Sequence, residues 1–321
     1  MRMYEQLKQF GKVRLNEPLA KHTTCKIGGP AQFFISISTT EQLVGLLQYL
    51  DGAGTEYLIL GGGSNMVPRD ESFEGVVIEI RTGQLSIEGN TVIADAGIFT
   101  AKLAHETVKA GLTGFEWGVG VPGTIGGAVR GNAGAMGKEI KDDLVKVAIY
   151  QDGEVVEIDG SACGFAYRES VFKHSGSVVL RVWLALQKSE SLDGMKKALE
   201  VLAYRNETQP KGQSSSGCVF KNVDVRESEK NRELLLQHFS PDSDMVKRFL
   251  EIGKISAGWL IQEAGLKGTR VGKAVVSEVH GNFIVGEKGV TSRDVRELIE
   301  VIKEKVYHTY GIELEEEIKI I

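Results

Sequence analysis

The apolar positions in the first third of the chain predict short strands and helices in alternation. Ala31 to Ser38 reads as a strand, and Leu43, Leu46, Leu47 and Leu50 then recur at the i, i+3, i+4, i+7 spacing of one helical face. Tyr57 to Leu60 is a second strand, so the opening resembles a βαβ unit. Gly75 to Ile80, Gln84 to Glu88 and Thr91 to Ala96 follow as β-type segments, and Phe99 to Ala110 is predicted as a helix ended by Gly111. Further on, Leu144 to Tyr150, Glu154 to Ile158 and Val178 to Leu186 predict strands of a mixed sheet, and Leu192 to Glu207 an amphipathic helix.

At Thr208 to Ser216 the composition turns polar and turn-forming, which places a domain boundary there. Beyond it come a short strand at Cys218 to Asn222 and helices at Lys230 to Phe239, Asp242 to Ile252 and Ala257 to Ala264. A strand at Asn282 to Val285 and a long helix from Thr291 to Tyr310 follow. That helix has Thr291 and Asp294 as a capping box and Val295, Leu298, Ile299, Ile302 and Val306 as its buried stripe. The chain closes on a predicted strand, Ile312 to Ile318, which carries Glu313, Glu315, Glu316 and Glu317.

Composition narrows the function classes. With 321 residues the chain has room for about two domains. A net charge of -5, with basic and acidic residues spread throughout, offers no basic stripe for a phosphate backbone, so no nucleic-acid partner is expected. No apolar run approaches the roughly 18 residues that span a bilayer, and the amino terminus has no apolar signal core, so a cytoplasmic protein without membrane contact is expected. Cys25, Cys163 and Cys218 are odd in number and far apart, which excludes a disulfide framework. They lack Cys-x-x-Cys spacing, and the six histidines form no His-Glu-x-x-His pair, so no metal is expected.

Glycine is the outlier. There are 39, about 12% against a usual 7%, and ten of them fall between Gly111 and Gly137. That stretch is too apolar for a flexible linker. It reads instead as backbone wrapped closely around a large ligand, with amide N–H groups turned to phosphate oxygens. A second cluster, Gly61-Gly62-Gly63-Ser64-Asn65, directly follows a strand. Gly118-x-Gly120-x-x-Gly123 matches the dinucleotide fingerprint of the Rossmann fold, but no good strand precedes it and more glycine follows, so the match is discounted. Two glycine-rich turns on an α+β background still predict a dinucleotide lying between two small lobes.

Several blocks carry a family resemblance. These are His22 to Ala31, Leu60 to Asn65, Gly120 to Gly134, Phe165 to Lys173, Ser216 to Asn222, Ala257 to Gly268 and Leu314 to Ile318. In this order they resemble the UDP-N-acetylenolpyruvoylglucosamine reductase family over most of the chain. The resemblance implies an α+β fold, with a two-lobed FAD-binding domain of the vanillyl-alcohol-oxidase type over 1–207, divided into lobes of about 1–78 and 79–207. A substrate-binding α+β domain over 208–321 follows, its last strand returning to the FAD domain. It further implies non-covalent FAD, NADPH as reductant, UDP-N-acetylglucosamine-enolpyruvate as substrate, a role in peptidoglycan precursor synthesis, and a monomer. The rival readings are another FAD-dependent oxidase or dehydrogenase of the same fold, and a non-catalytic nucleotide-sugar binding protein.

By the same resemblance, Gly61, Gly62, Gly63, Ser64, Asn65, Gly123, Thr124, Ile125, Gly126, Gly127, Asn132 and Gly134 hold the cofactor. Three residues form the catalytic set. Arg168 faces the substrate carboxylate, where a forked, always-charged guanidinium suits two oxygens. Glu317 shares a proton with the developing enolate, and Cys218 stands where many relatives carry serine, as the acid that protonates C2. A thiol, with an ordinary pKa of about 8.5, is a far better acid than a serine hydroxyl. Ser216 competes only if the register slips. Tyr167, Lys221, Asn222 and His280 are expected to line the substrate pocket. The chain resembles the shorter-loop class of the family, yet Val223 to Ser256 is longer than that class shows and reads as two helices. Glu316 also replaces a proline common beside the final glutamate.

Overall fold

The computed structural model describes residues 2–189 and 191–321. The chain divides into two compact units, the first made of 1–18, 30–63 and 72–207, the second of 19–29, 64–71 and 208–321.

The first unit contains two larger sheets and two two-stranded ladders. In one of the larger sheets, strands Lys12–Pro18, Pro30–Ile37, Phe73–Ile80 and Tyr57–Leu60 lie side by side in that order. The outermost pair is antiparallel, and Pro30–Ile37 and Tyr57–Leu60 both run parallel to Phe73–Ile80. A parallel strand covered on both faces reads as a continuous apolar run, and Val76, Val77 and Ile78 are all fully buried. Helix Thr40–Gly52 supplies the crossover. Thr39 caps it by accepting from the Gln42 N–H, and Leu43, Leu46, Leu47 and Leu50 are buried, as the spacing predicts. Strand Lys12–Pro18 has no counterpart in the sequence reading, because its mixed polarity hides an edge strand.

The other sheet is antiparallel throughout, in the order Glu154–Asp159, Leu144–Gln151, Val178–Ala185, Thr91–Asp95, Leu85–Glu88. Helices Thr100–Lys109 and Ile125–Arg130 belong to the same unit. The second of these corrects the sequence reading, which saw only more glycine after Thr124. Ile125, Ala128 and Val129 form a buried i, i+3, i+4 stripe, and the helix stops in a Schellman motif. There the Ala133 N–H reaches the Ala128 carbonyl at 2.8 Å and the Asn132 N–H the Val129 carbonyl at 3.1 Å, with Asn132 at φ 40°.

In the second unit, strands Arg270–Val271, Ala274–Val276 and Ile284–Gly286 form a small antiparallel sheet. Helix Ser292–Tyr310 buries Val295, Leu298, Ile299, Ile302 and Val306, and both halves of the Thr291/Asp294 capping box are present. Helices Glu229–His238 and Asp244–Ile252 fill the long segment after Val223. A two-residue ladder closes that segment, with Val223 opposite Ile255 and Asp224 opposite Lys254. Leu235, Val246 and Phe249 are buried in this unit's core, and Phe249 and Phe239 both pack on Trp259, so the extra helices are integral to it.

Three expectations are corrected here. The linear division at 207/208 put 19–29 and 64–71 with the first domain, but both segments pack in the second unit, which parts Ser64 and Asn65 from Gly61, Gly62 and Gly63. Consequently the last strand, Lys319–Ile320, which runs parallel to Met66–Val67, pairs inside the second unit. Finally, 218–222 and 312–318 are not ladder strands. They carry only isolated bridges: Cys218 to Phe283, and Phe220 to Glu316, which joins the two segments.

Candidate active site

In the first unit the two glycine-rich segments meet backbone to backbone. A Cβ on Gly62 would stand 2.6 Å from the Gly123 Cα, and one on Gly61 would stand 2.5 Å from the Thr124 hydroxyl. Side chains are therefore excluded where the turns touch. At Gly126 a Cβ would lie 2.8 Å from that of Ala96, and at Gly134 it would lie 2.2 Å from the Lys138 carbonyl, so packing requires these two glycines. Gly127 differs. It is exposed on helix Ile125–Arg130, and its Cβ would meet nothing nearer than the Thr124 hydroxyl at 3.7 Å. Ile125 is buried, with its N–H on the Ile98 carbonyl at 2.8 Å.

Asn132 lies elsewhere than expected of a cofactor ligand. Its side chain is fully buried, with Nδ2 donating to the Ala166 carbonyl at 2.8 Å and to Glu139 Oε2 at 3.1 Å, while Oδ1 accepts the Lys141 N–H at 3.2 Å. Its side chain works as a clamp within the protein.

Arg168 sits with Tyr167 at the tip of a tight turn, which Ala166 and Glu169 close with reciprocal backbone hydrogen bonds of 3.2 and 3.1 Å. Its φ of 56° is in the left-handed region. Nη2 donates to the Gly134 carbonyl at 3.2 Å, and the guanidinium carbon lies 5.2 Å from the centre of the Tyr167 ring. Ser170 and Lys173, residues of the same sequence block to which no role was given, also hold this turn. The Ser170 hydroxyl donates to the Arg130 carbonyl at 2.6 Å, and the Lys173 ammonium donates to the carbonyl of Arg168.

In the second unit the structure brings the segments that carry Cys218 and Glu317 together from distant parts of the chain. The Glu317 N–H donates to the carbonyl of Val219, the residue after Cys218, at 2.7 Å, and the Glu317 carbonyl accepts from Asn65 Nδ2 at 3.1 Å. Cys218 is partly exposed, whereas Ser216 is buried with its hydroxyl on the Met66 carbonyl at 2.8 Å. The serine is thus committed to structure and the thiol keeps access to solvent.

Alternation along a strand would put Glu313, Glu315 and Glu317 on one side, but their exposures do not divide that way. Glu313 and Glu315 are exposed, while Glu316 and Glu317 are both half-buried. Glu316 pairs with Lys303 at 3.2 Å and Glu315 with the Lys221 ammonium, so neither of those carboxylates stands where Glu317 does. Asn222 Oδ1 accepts the Ala257 N–H at 3.2 Å, tying the end of the segment to helix Ala257–Glu263. His280 Nδ1 accepts the Asn282 N–H at 3.2 Å. The imidazole lies edge-on to Phe283 at 5.0 Å, and burial, helped by the charge of Lys267, holds its pKa below the usual histidine value. Among the described residues no group of three or more His, Cys, Asp or Glu side chains could hold a metal, and no helix is long and apolar enough to cross a membrane.

Two glycine-rich turns packed backbone to backbone in the first unit, with a second α+β unit interleaved in sequence, suit a flavin-binding protein. Residues 31–159 match the family model of an FAD binding domain, and residues 209–321 match that of the UDP-N-acetylenolpyruvoylglucosamine reductase C-terminal domain. The UDP-N-acetylenolpyruvoylglucosamine reductase of Alkaliphilus oremlandii is 36% identical over 96% of this chain and 93% of its own length. That of Bacillus subtilis is 34% identical over 98% and 95%. The crystal structure of the reductase from Thermus caldophilus superimposes with a TM-score of 0.75 at 32% identity, covering 97% of this chain and 98% of that one. The chain belongs to the UDP-N-acetylenolpyruvoylglucosamine reductase family. The residues present fit the FAD this implies: where the glycine-rich turns pack together, Gly127 is exposed and its Cβ position is open, so bare backbone faces outward there.

Proposed function

We propose that this chain is an NADPH-dependent flavoenzyme that reduces the enolpyruvyl group of UDP-N-acetylglucosamine-enolpyruvate to give UDP-N-acetylmuramate. FAD, when bound, relays the hydride from NADPH to C3 of the enolpyruvyl group, the step that a protein side chain cannot perform. The charge that then develops spreads from C2 into the substrate carboxylate, so the protein must stabilise an enolate and deliver one proton.

Arg168 meets the carboxylate with a forked cation held in a fixed turn. Cys218 delivers the proton to C2, leaving a thiolate, and Glu317 shares a separate proton, or a tight hydrogen bond, with the enolate as charge develops. Gly61, Gly62, Gly63, Ser64, Asn65, Gly123, Thr124, Ile125, Gly126, Gly127 and Gly134 are assigned to the cofactor, and Tyr167, Lys221, Asn222 and His280 to the substrate. A neutral His280 suits a hydrogen-bonding role better than an ionic one. The observation that carries this reading is the 2.7 Å hydrogen bond from the Glu317 N–H to the Val219 carbonyl, which brings the backbone of Glu317 to the residue next to the partly exposed Cys218. The protein is further proposed to act as a cytoplasmic monomer that supplies peptidoglycan precursor synthesis, and hence growth and division of the cell wall.

The test is anaerobic. NADPH is added to FAD-loaded protein until the flavin band bleaches, and UDP-N-acetylglucosamine-enolpyruvate is then added. Return of the band is expected. A bleach without recovery would keep a flavoenzyme of different substrate, and protein that takes up no FAD would leave a nucleotide-sugar binder.

A further inference from the structure

We propose that Asn132 and Lys173 are positioning residues for Arg168, acting on its turn and not on substrate or cofactor. The inference rests on the role given to Arg168 above.

Arg168 adopts a backbone conformation that L side chains rarely take, at the tip of a turn with only two residues between its closing hydrogen bonds. Such a turn can tilt as a body, and a guanidinium at its tip would swing with it. Three contacts oppose the tilt. Asn132 Nδ2 holds the Ala166 carbonyl at one closing residue, the Lys173 ammonium holds the carbonyl of Arg168 itself, and the Ser170 hydroxyl ties the outgoing chain to Arg130.

Asn132 also fixes the other end of the arginine. Its second Nδ2 contact is to Glu139, the residue paired with Gly134 across a short hairpin, and the Gly134 carbonyl is the acceptor for Arg168 Nη2. Backbone and head of Arg168 are therefore both referenced to the segment 132–134. A buried amide with its oxygen and both its hydrogens engaged is a rigid reference point.

The left-handed conformation of Asn132 does not by itself account for this. Ending helix Ile125–Arg130 needs a residue tolerant of positive φ, and glycine serves there at least as well as asparagine. The cap requires no amide, whereas the turn does. Asn132→Gly therefore removes the clamp and keeps the cap.

The experiment measures both anaerobic half-reactions of the FAD-loaded full chain, in the wild type, Asn132→Gly, Arg168→Ala and the double variant. Asn132→Gly is expected to slow flavin reoxidation by UDP-N-acetylglucosamine-enolpyruvate by about 10- to 100-fold, the scale of a misplaced reacting group. Flavin reduction by NADPH and FAD content should stay within about twofold. In the Arg168→Ala background the same substitution should cost nothing further, because residues acting as one unit are not additive. Equal losses in both backgrounds, or parallel loss of FAD, would overturn the inference. Should Asn132→Gly fail to fold, Lys173→Met must reproduce the split and Lys173→Arg restore it, and wild-type reoxidation in Lys173→Met overturns the inference equally. Wild-type reoxidation in Arg168→Ala is a separate result, which removes the role of Arg168 and this inference with it.

Discussion

Asn282 holds Phe220 with both of its polar atoms. Its Oδ1 accepts the Phe220 N–H at 2.9 Å and its Nδ2 donates to the Phe220 carbonyl at 2.8 Å, all of it buried. A side-chain amide has the same donor and acceptor as a backbone peptide, so it substitutes for the missing strand neighbour here. The hydrogen bond between the Glu317 backbone and Val219, next to Cys218, depends on this segment keeping its course. Asn282→Leu would keep the volume and strand both backbone groups of Phe220 without a partner. The expected cost is about 3 kcal/mol, from two unsatisfied buried groups. Thermal unfolding followed by fluorescence measures it, and a loss below about 0.5 kcal/mol would mean that water replaces the amide.

Asp143 makes stability fall as pH rises. Burial pushes its pKa from 3.8 up to about 6, with the nearby negative charges of Asp142 and Glu116 adding to the shift and Lys138 opposing it. Its Oδ2 is buried without a hydrogen-bond partner. Because the folded chain holds this proton more tightly than the unfolded chain, stability is fully present below about pH 4 and is lost progressively up to about pH 6. Asp143→Asn should therefore stabilise the protein at pH 7, by about 1–2 kcal/mol after allowing for solvent screening, and have little effect at pH 4. Melting curves at the two pH values test this, and equal effects at both would show that the carboxylate does not titrate in that window.

Much of the fold is legible in the sequence because its elements have clean periods. Leu43 to Leu50 and Val295 to Val306 mark helices that bury those residues. What escaped was held by tertiary contacts with no local signal. Residues 64–71 look like the continuation of a loop, yet Met66 and Val67 pair with the distant Lys319 and Ile320. Cys218 to Asn222 has the composition of a strand but lies against single bridges and the Asn282 amide, and a lone buried asparagine announces nothing in sequence. Helix Ile125–Arg130 was hidden by its glycines, although Asn132 two residues beyond its end is the kind of left-handed terminator that marks a helix stop. The catalytic set came from family resemblance: four closely spaced glutamates cannot be ranked without the neighbours that the fold brings to each.

Two of the glycines assigned above to the cofactor should respond oppositely to the same substitution. A Cβ at position 62 collides with the backbone of Gly123 at 2.6 Å, so Gly62→Ala must push the two turns apart and should lower both FAD content and stability. At position 127 no protein atom stands in the way, and alanine is favoured over glycine in a helix by about 1 kcal/mol. Gly127→Ala should leave the FAD-free protein as stable or slightly more so, while weakening FAD binding at least about tenfold if the cofactor passes over that exposed helix face. FAD titration alongside FAD-free melting curves distinguishes the two. Unchanged FAD affinity in Gly127→Ala would place the cofactor away from position 127.

Cys218 gives the sharpest test of the chemistry. The thiol is partly exposed, its segment is pinned by the Val219 N–H on the Asn282 carbonyl at 2.9 Å, and the Glu317 backbone is paired with the next residue. Serine keeps a hydroxyl at that place, though a far weaker acid, so Cys218→Ser should retain measurable turnover. Alanine removes the proton altogether. In Cys218→Ala the flavin should still be reoxidised, because hydride transfer does not need this group, but product should appear later than the flavin band, as water supplies the C2 proton slowly. Rapid-quench product formation set beside the flavin trace measures that lag. Equal rates of product formation in wild type, Cys218→Ser and Cys218→Ala would move the proton donor to another residue, with the Glu317 carboxyl next to be tested by Glu317→Gln.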